Sequence, residues 1–368
     1  MENKSGLDMK RFDSMVDGKQ TKLYVLTNDK GAEMTVCNYG AAIVSLMMPD
    51  RNGSFANVVL GMESVDSMVD SPEPTLGATI GRYGNRIAGA QFTLEGKIYH
   101  VGMSQAPNAL HGGFKGFHKV VWDAEQLDSK SLVLRYTAAD GEEGFPGRLQ
   151  VVLCYTLTDD NEVRIDYSAV SDKTTICNLT NHSYFNLDGV VQGEVSSVDE
   201  HLLTLYADQY IPINDVCIPL GYKESVNDSP FDFREPHRIG ERIDCVNNIQ
   251  IARGAGYDHC FCVRQEAPTY QGVRPVAGLR LGAVVMSPLS GRVMKVFTTE
   301  PGLQLYTANW LSGFAGYHGC TFPRRSALCL EAQHHPDSIN QPAFEQPILL
   351  PGQVYAQTTI YAFSLEGL

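Results

Sequence analysis

The sequence predicts an all-β chain, a large antiparallel sandwich with only short helices, and three observations carry that prediction. Thirty-four glycines and 18 prolines punctuate the chain, and the segments between breaks are short and rich in β-branched and aromatic residues. Helical periodicity is confined to Ser64 to Val69 and His237 to Ile243, each enough for about two turns and too little for alternating βαβ units. Neither a linker-like tract nor a fixed-period repeat divides the 368 residues, so the expectation is one domain over residues 1–368.

Taken in order, the strands expected in the first half are LYVL (23–26), EMTVCNY (33–39), QFTLEGKIYHV (91–101), SLVLRYTA (131–138), and the pair LQVVLCYTL and EVRIDYSAV. That pair brackets Thr158 to Asn161 as a hairpin. The second half continues with HLLTLYA (201–207), YDHCFCV (257–263), RVMKVFTTE (292–300), LQLYTANWL (303–311), SALCLEAQ (326–333) and VYAQTTIYAFSL (354–365).

Composition narrows the class of partner. Hydrophobic content of 43% and charged content of 19% are those of an ordinary folded chain. The net charge of −13 comes from scattered acidic residues with no basic stripe, which argues against nucleic acid and anionic membrane and for a neutral ligand. The N-terminal residues lack an apolar leader core, and no stretch approaches about 18 uninterrupted apolar residues. Nine cysteines, an odd number at irregular spacing, read as reduced thiols and hence a cytoplasmic protein. Cys260 and Cys262 share a strand face, without the four-ligand spacing of a zinc site.

Against this apolar strand background, five islands of polarity stand out. Thr180 to Gly189, TNHSYFNLDG, sets His182 among amides, hydroxyls and rings and ends at Asp188-Gly189, a turn-forming pair. If the stretch is extended, His182, Tyr184 and Asn186 share one face, a pattern that suits a lined polar pocket better than a plain core or surface strand. GRYGNRI (81–87) holds Asn85 and Arg86 between glycines, where a surface turn with a structural arginine is the bland alternative. NALHGG (108–113) puts His111 before two glycines, a place for close backbone approach to a ligand. YDH (257–259) offers Asp258 at a strand start, where a turn or capping carboxylate is ordinarily the better reading. In LCLEAQHHPD (328–337), Glu331 shares a face with Cys329 and Gln333, opposite two leucines. A carboxylate there is unexpected, because such groups are seldom buried unless paired.

With GRYGNRI, NALHGGFKGFHKVVWD, TNHSYFNLDG, YDHCF, PGLQLYTAN, EAQHHPDSIN and the following PGQVY in this order, the chain resembles the galactose mutarotases, the aldose 1-epimerases, from about Arg11 to Ser364. The resemblance implies a β-sandwich of the galactose mutarotase type with a sugar cleft on a sheet face, interconverting α and β anomers of free hexoses such as galactose and glucose through a ring-opened aldehyde, without a cofactor. By motif, Glu331 is similar to the family's general base and His182 to its acid. Asn85, Arg86, His111, Asp258 and Gln304 resemble its hydroxyl-binding set. Gly84 stands where Ala is usual in the NR motif, and Ala332 where Thr follows the base.

The chemistry can be argued without the resemblance. Opening a hemiacetal removes a proton from one oxygen while another receives one, which a Glu and a His on opposite sides of the C1–O5 bond can do together. With reference pKa values near 4.3 and 6.5, an ionised Glu331 and a protonated His182 coexist from mildly acidic to neutral pH, and partial burial of the Glu brings it into a useful range. Other readings are a hexose-6-phosphate epimerase, which needs cationic donors for phosphate, and a non-catalytic sugar-binding protein on the same scaffold. A glycoside hydrolase could use Asp258 and Glu331 as its carboxylate pair, but would want aromatic platforms beyond Trp122 and Trp310. No metal is expected, since neither HxH nor HExxH occurs and the adjacent His334 and His335 diverge on a strand. Cys260 beside His259 fails as a nucleophile–base pair on the same ground. The expected partner is a monosaccharide, and the expected state a monomer or weak dimer.

Overall fold

A computed structural model describes residues 3–193 and 195–366. Its largest layer is a nine-stranded antiparallel sheet in the order Asp123–Gln126, Ser131–Ala138, Leu149–Leu157, Glu162–Ser171, Tyr355–Leu365, Arg292–Thr298, Arg280–Met286, Leu202–Leu205 and His237–Arg238. Alternation builds its inner face: Leu149, Val151, Leu153, Tyr155 and Leu157 are buried, while Gln150 and Val152 between them are exposed.

Two five-stranded sheets form the opposing layer. One runs Phe185–Val190, Phe55–Val59, Ala42–Pro49, Glu33–Cys37 and Leu23–Thr27; the other runs Glu224–Ser225, Ala207–Tyr210, Asp258–Val263, Gly302–Tyr306 and Cys329–Gln333. Reciprocal backbone hydrogen bonds between Phe185 and Leu328, at 2.8 and 2.9 Å, stitch them edge to edge. A shared apolar cluster fills the space between the layers and includes Leu330 and Ala332 with Tyr361 and Phe363. Because successive strand residues face opposite sides, Leu330 and Ala332 inward place Glu331 on the outer face.

The expected strands form, with four departures. LQLYTANWL is a strand only as far as Tyr306, because Ala308 takes positive φ and Thr307 and Asn309 turn their side chains back onto the Tyr257 carbonyl. QFTLEGKIYHV is two strands, Gln91–Leu94 and Lys97–His100, because Glu95 and Gly96 both take positive φ and close a two-residue hairpin. HLLTLYA crosses from one layer to the other: Leu202–Leu205 belongs to the nine-stranded sheet, Ala207–Tyr210 to a five-stranded one. TNHSYFNLDG is interrupted, with Thr180–Asn181 and Phe185–Val190 in separate sheets, and Asp188-Gly189 lies inside the second strand at an irregularity rather than in a turn.

Of the two expected helices, Val65–Val69 forms behind a capping box at Ser64. His237 to Ile243 does not: it holds a two-residue strand and one 3₁₀ turn, and a helix lies instead at Ile249–Gly254, capped by the Asn248 side chain. Among the described residues no helix is long and apolar enough to cross a membrane, and all nine cysteines are free thiols.

Candidate active site

A cavity of about 620 Å³ opens on the outer face, and Glu331 and His182 both line it. Strand pairing delivers Glu331, which stands opposite Gln304, whose strand pairs in turn with the one that begins at Asp258. His182 follows Thr180–Asn181 and is held by its backbone on both sides: its N–H donates to the Ala78 carbonyl at 2.9 Å, and its carbonyl accepts from Gly77 N–H at 3.0 Å. The ring stacks on Tyr184 at 5.0 Å and meets the edge of His111 at 5.2 Å. His182 Nε2 lies 3.6 Å from Glu331 Oε1, with the residues only 5% and 2% exposed. Glu331 Oε2 and His182 Nδ1 have no hydrogen-bond partner.

The NR and LHGG motifs meet as two turns that brace one another. Asn85 and His111 both take positive φ, at 64° and 51°. His111 N–H donates to the Asn85 carbonyl at 3.1 Å, and Asn85 N–H donates to His111 Nδ1 at 3.2 Å. That second bond makes Nδ1 an acceptor and leaves the ring proton on Nε2. Of the two glycines after His111, Gly113 lines the cavity, while Gly112 is fixed by packing. A Cβ on Gly112, at φ +87°, would stand 2.0 Å from the Gly81 carbonyl oxygen. Gly84 is less constrained, since an added Cβ meets its nearest neighbour, Thr180, at 3.3 Å.

Arg86 is buried, with its Nε donating to Gln105 Oε1 at 2.7 Å. Asp258 accepts from Gln304 Nε2 at 2.6 Å. Of the seven sequence-selected residues, Asn85, Arg86, His111, His182, Asp258 and Glu331 line the main cavity; Gln304 sits behind Asp258 and faces a small adjoining one. Asn186, expected on the His182 face, instead donates to the Ser196 and Ser326 carbonyls.

Burial controls the ionisation of the site. It lifts Glu331 well above the ordinary carboxylate range, helped by the negative charge of Asp258 and opposed by Arg86. It presses His182 down to about 4 and His111 well below its ordinary value. Both shifts oppose the ionised carboxylate and protonated imidazole of the productive state, and they favour the arrangement in which a single proton is shared by the pair. The ligand atoms of His111, His182 and Glu331 lie within 4.8 Å of one another, a composition that could hold a metal ion and that no linear spacing in the sequence predicts.

Several lining residues escaped the sequence reading. Glu73, between Pro72 and Pro74, enters from a loop and bonds Thr75 Oγ1 at 2.5 Å; a carboxylate clamped by two prolines was its visible signal. Tyr306 closes on His182 from the strand that carries Gln304. Trp310, 61% exposed, stands at the cavity wall, whereas Trp122 is wholly buried. As expected, His334 and His335 diverge, His334 to Glu300 and His335 to Cys260 and Cys262.

The sequence profile of the family described as Aldose 1-epimerase matches residues 22–362. The galactose mutarotase of Mus musculus is 39% identical over 349 residues, 95% of either chain. The aldose 1-epimerase of Escherichia coli (strain K12) is 36% identical over 352 residues, 95% of this chain and 97% of that one. Among solved structures, the GalM/aldose epimerase homologue from C. elegans superposes with a TM-score of 0.83 at 27% identity, covering 94% of this chain and 99% of that one. The galactose 1-epimerase from Lactobacillus acidophilus NCFM gives 0.81 at 27%, covering 96% and 97%.

Proposed function

We propose that this chain, which belongs to the aldose 1-epimerase family, opens and recloses the pyranose ring of free hexoses such as galactose and glucose by moving protons between Glu331 and His182. Its aldose 1-epimerase activity follows from that membership. One observation carries it: the 3.6 Å approach of Glu331 Oε1 to His182 Nε2 inside a cavity large enough for a hexose. At that separation the two groups make no strong direct hydrogen bond, so both remain free to engage sugar oxygens.

The one-proton pair has two arrangements, neutral acid with neutral imidazole, or carboxylate with imidazolium, and they differ only in where the proton sits. Sugar hydroxyls that donate to Glu331, with the Arg86 guanidinium nearby, favour the second. In that form Glu331 takes the proton from the C1 hydroxyl while His182 delivers one to the ring oxygen, and C1–O5 breaks to give the aldehyde. Rotation about C1–C2 turns the other carbonyl face inward. Closure then runs through the same groups in reversed roles.

The remaining residues supply orientation. His111, braced by Asn85, presents its Nε2–H as a fixed neutral donor, and Arg86, held by Gln105, presents a fixed cationic one. Both suit the charge that develops on the carbonyl oxygen. Asp258, steadied by Gln304, accepts from sugar hydroxyls. Side chains carry both protons, so no cofactor enters this reading. Polarimetric decay of freshly dissolved α-galactose and α-glucose tests it, and the same assay on glucose 6-phosphate separates it from a hexose-6-phosphate epimerase.

A further inference from the structure

A second cavity, of about 440 Å³, lies at the seam between the nine-stranded sheet and the sheet that carries Glu331. It shares no lining residue with the active cavity. Its walls include Arg280 at the start of a strand, Glu300 in the turn joining Arg292–Thr298 to Gly302–Tyr306, and His334 just past the Glu331 strand. Gln265 and Gln353 add amides and Glu345 a further carboxylate.

Arg280 is the anomaly. Five arginines in the described residues are buried: Arg82, Arg86, Arg164, Arg280 and Arg292. Arg82 and Arg292 are each held by several backbone carbonyls or hydroxyls, and Arg164 by Asp166 together with the Val273 and Arg274 carbonyls. The other two line cavities, Arg86 the active one and Arg280 this one. Arg280 is 7% exposed, yet its only side-chain hydrogen bond runs from Nη1 to the Gly278 carbonyl at 2.9 Å. Its Nε is buried without a partner, and no described carboxylate lies within ion-pair distance. Burying a guanidinium without an ion pair is costly, and its fork of donors matches a bidentate oxyanion.

The rest of the wall has different chemistry. Glu300 is engaged by His334 Nδ1 at 2.8 Å, and the negative charges of Glu345 and Glu300 act on Arg280 without reaching ion-pair distance. The Gln265 and Gln353 amides and the second Glu300 oxygen offer both donors and acceptors, the set that recognises hydroxyls. The volume falls within the range of small-molecule sites.

We propose that this cavity is a second binding site for a small anionic sugar, with the oxyanion on Arg280 and the hydroxyls on Glu300, Gln265 and Gln353. The oxyanion can be a phosphate or a carboxylate, so the test uses galactose 1-phosphate, glucose 6-phosphate and galacturonate as separate arms, with inorganic phosphate as control. Titration calorimetry is run on the whole chain with the active cavity saturated by galactose.

Saturable binding of at least one anionic sugar is expected, at least tenfold tighter than inorganic phosphate, undisturbed by galactose and weakened at least tenfold by Arg280→Gln. Mutarotation by Arg280→Gln without added anion should match that of the parent. Should that variant fail to fold, Gln353→Ala asks the same question and should weaken binding at least threefold. Absence of binding in all three arms, displacement by galactose, equal affinity for inorganic phosphate, or binding unchanged in a folded variant overturns the proposal.

Discussion

Glu331 and His182 approach within 3.6 Å although one rides in the middle of a strand and the other stands on a connection between two sheets. Burial raises the carboxyl and lowers the imidazole, and both shifts favour one proton shared between them. The pair therefore works as a unit of fixed proton count, and its pH behaviour belongs to the unit rather than to either residue.

That proton count sets a pH window for kcat/KM. Activity falls on the acid side as His182 takes a second proton, with a limb near pH 4 rather than near the ordinary imidazole value. It falls on the alkaline side when Glu331 loses the remaining proton, at a pH well above the ordinary carboxylate range. A polarimetric pH–rate profile, corrected for the uncatalysed reaction, checks both limbs. An acid limb near 6.5 would show that His182 titrates as if exposed.

Asp258 contributes to the raised Glu331, second only to burial. Asp258→Asn should move the alkaline limb to lower pH while also raising KM, since it removes an acceptor for sugar hydroxyls. A limb that stays in place would detach Asp258 from the electrostatics of the base.

His182→Asn should cut the chemical rate by at least about 10²-fold, the usual contribution of a positioned acid. Its circular dichroism and melting temperature should stay close to those of the parent, because the backbone bonds to Gly77 and Ala78 that hold residue 182 survive the change. Near-native turnover in a folded variant would remove His182 from the reaction.

Gly112→Ala tests the bracing of the two turns. The new Cβ would meet the Gly81 carbonyl at 2.0 Å in a left-handed backbone, so a loss of about 1–3 kcal/mol from conformation alone is expected, with further loss from the contact. Thermal unfolding reads the stability, and KM reads the displaced His111. An unchanged melting temperature would contradict the close approach.

How much of this was legible in the sequence depended on whether one element held the signal. Glu331 stood out because leucines occupy the opposite face of its strand. His182 stood out because rings and amides surround it in a single run. Glu73 and Trp310 gave weaker signals because separate segments bring them to the cavity. Gln304 bonds Asp258 and lines a small cavity that shares Asp258 and Arg86 with the main one, a matter of depth that one-dimensional alternation does not encode. The upward shift of Glu331 was expected from partial burial, but the extent of burial of both partners is set by the fold and is not visible in the sequence. At Glu95-Gly96 a two-residue hairpin divides what read as one strand, and at Tyr206 a crossing between layers does the same.

The most direct test of the central claim is the polarimetric decay of freshly dissolved α-galactose with Glu331→Gln beside the parent protein. The amide keeps the shape of the carboxyl but cannot take a proton from the C1 hydroxyl. Loss of at least about 10²-fold in the catalysed rate, with an unchanged melting temperature, is the predicted result. A folded Glu331→Gln protein that mutarotates galactose at the parental rate would contradict it.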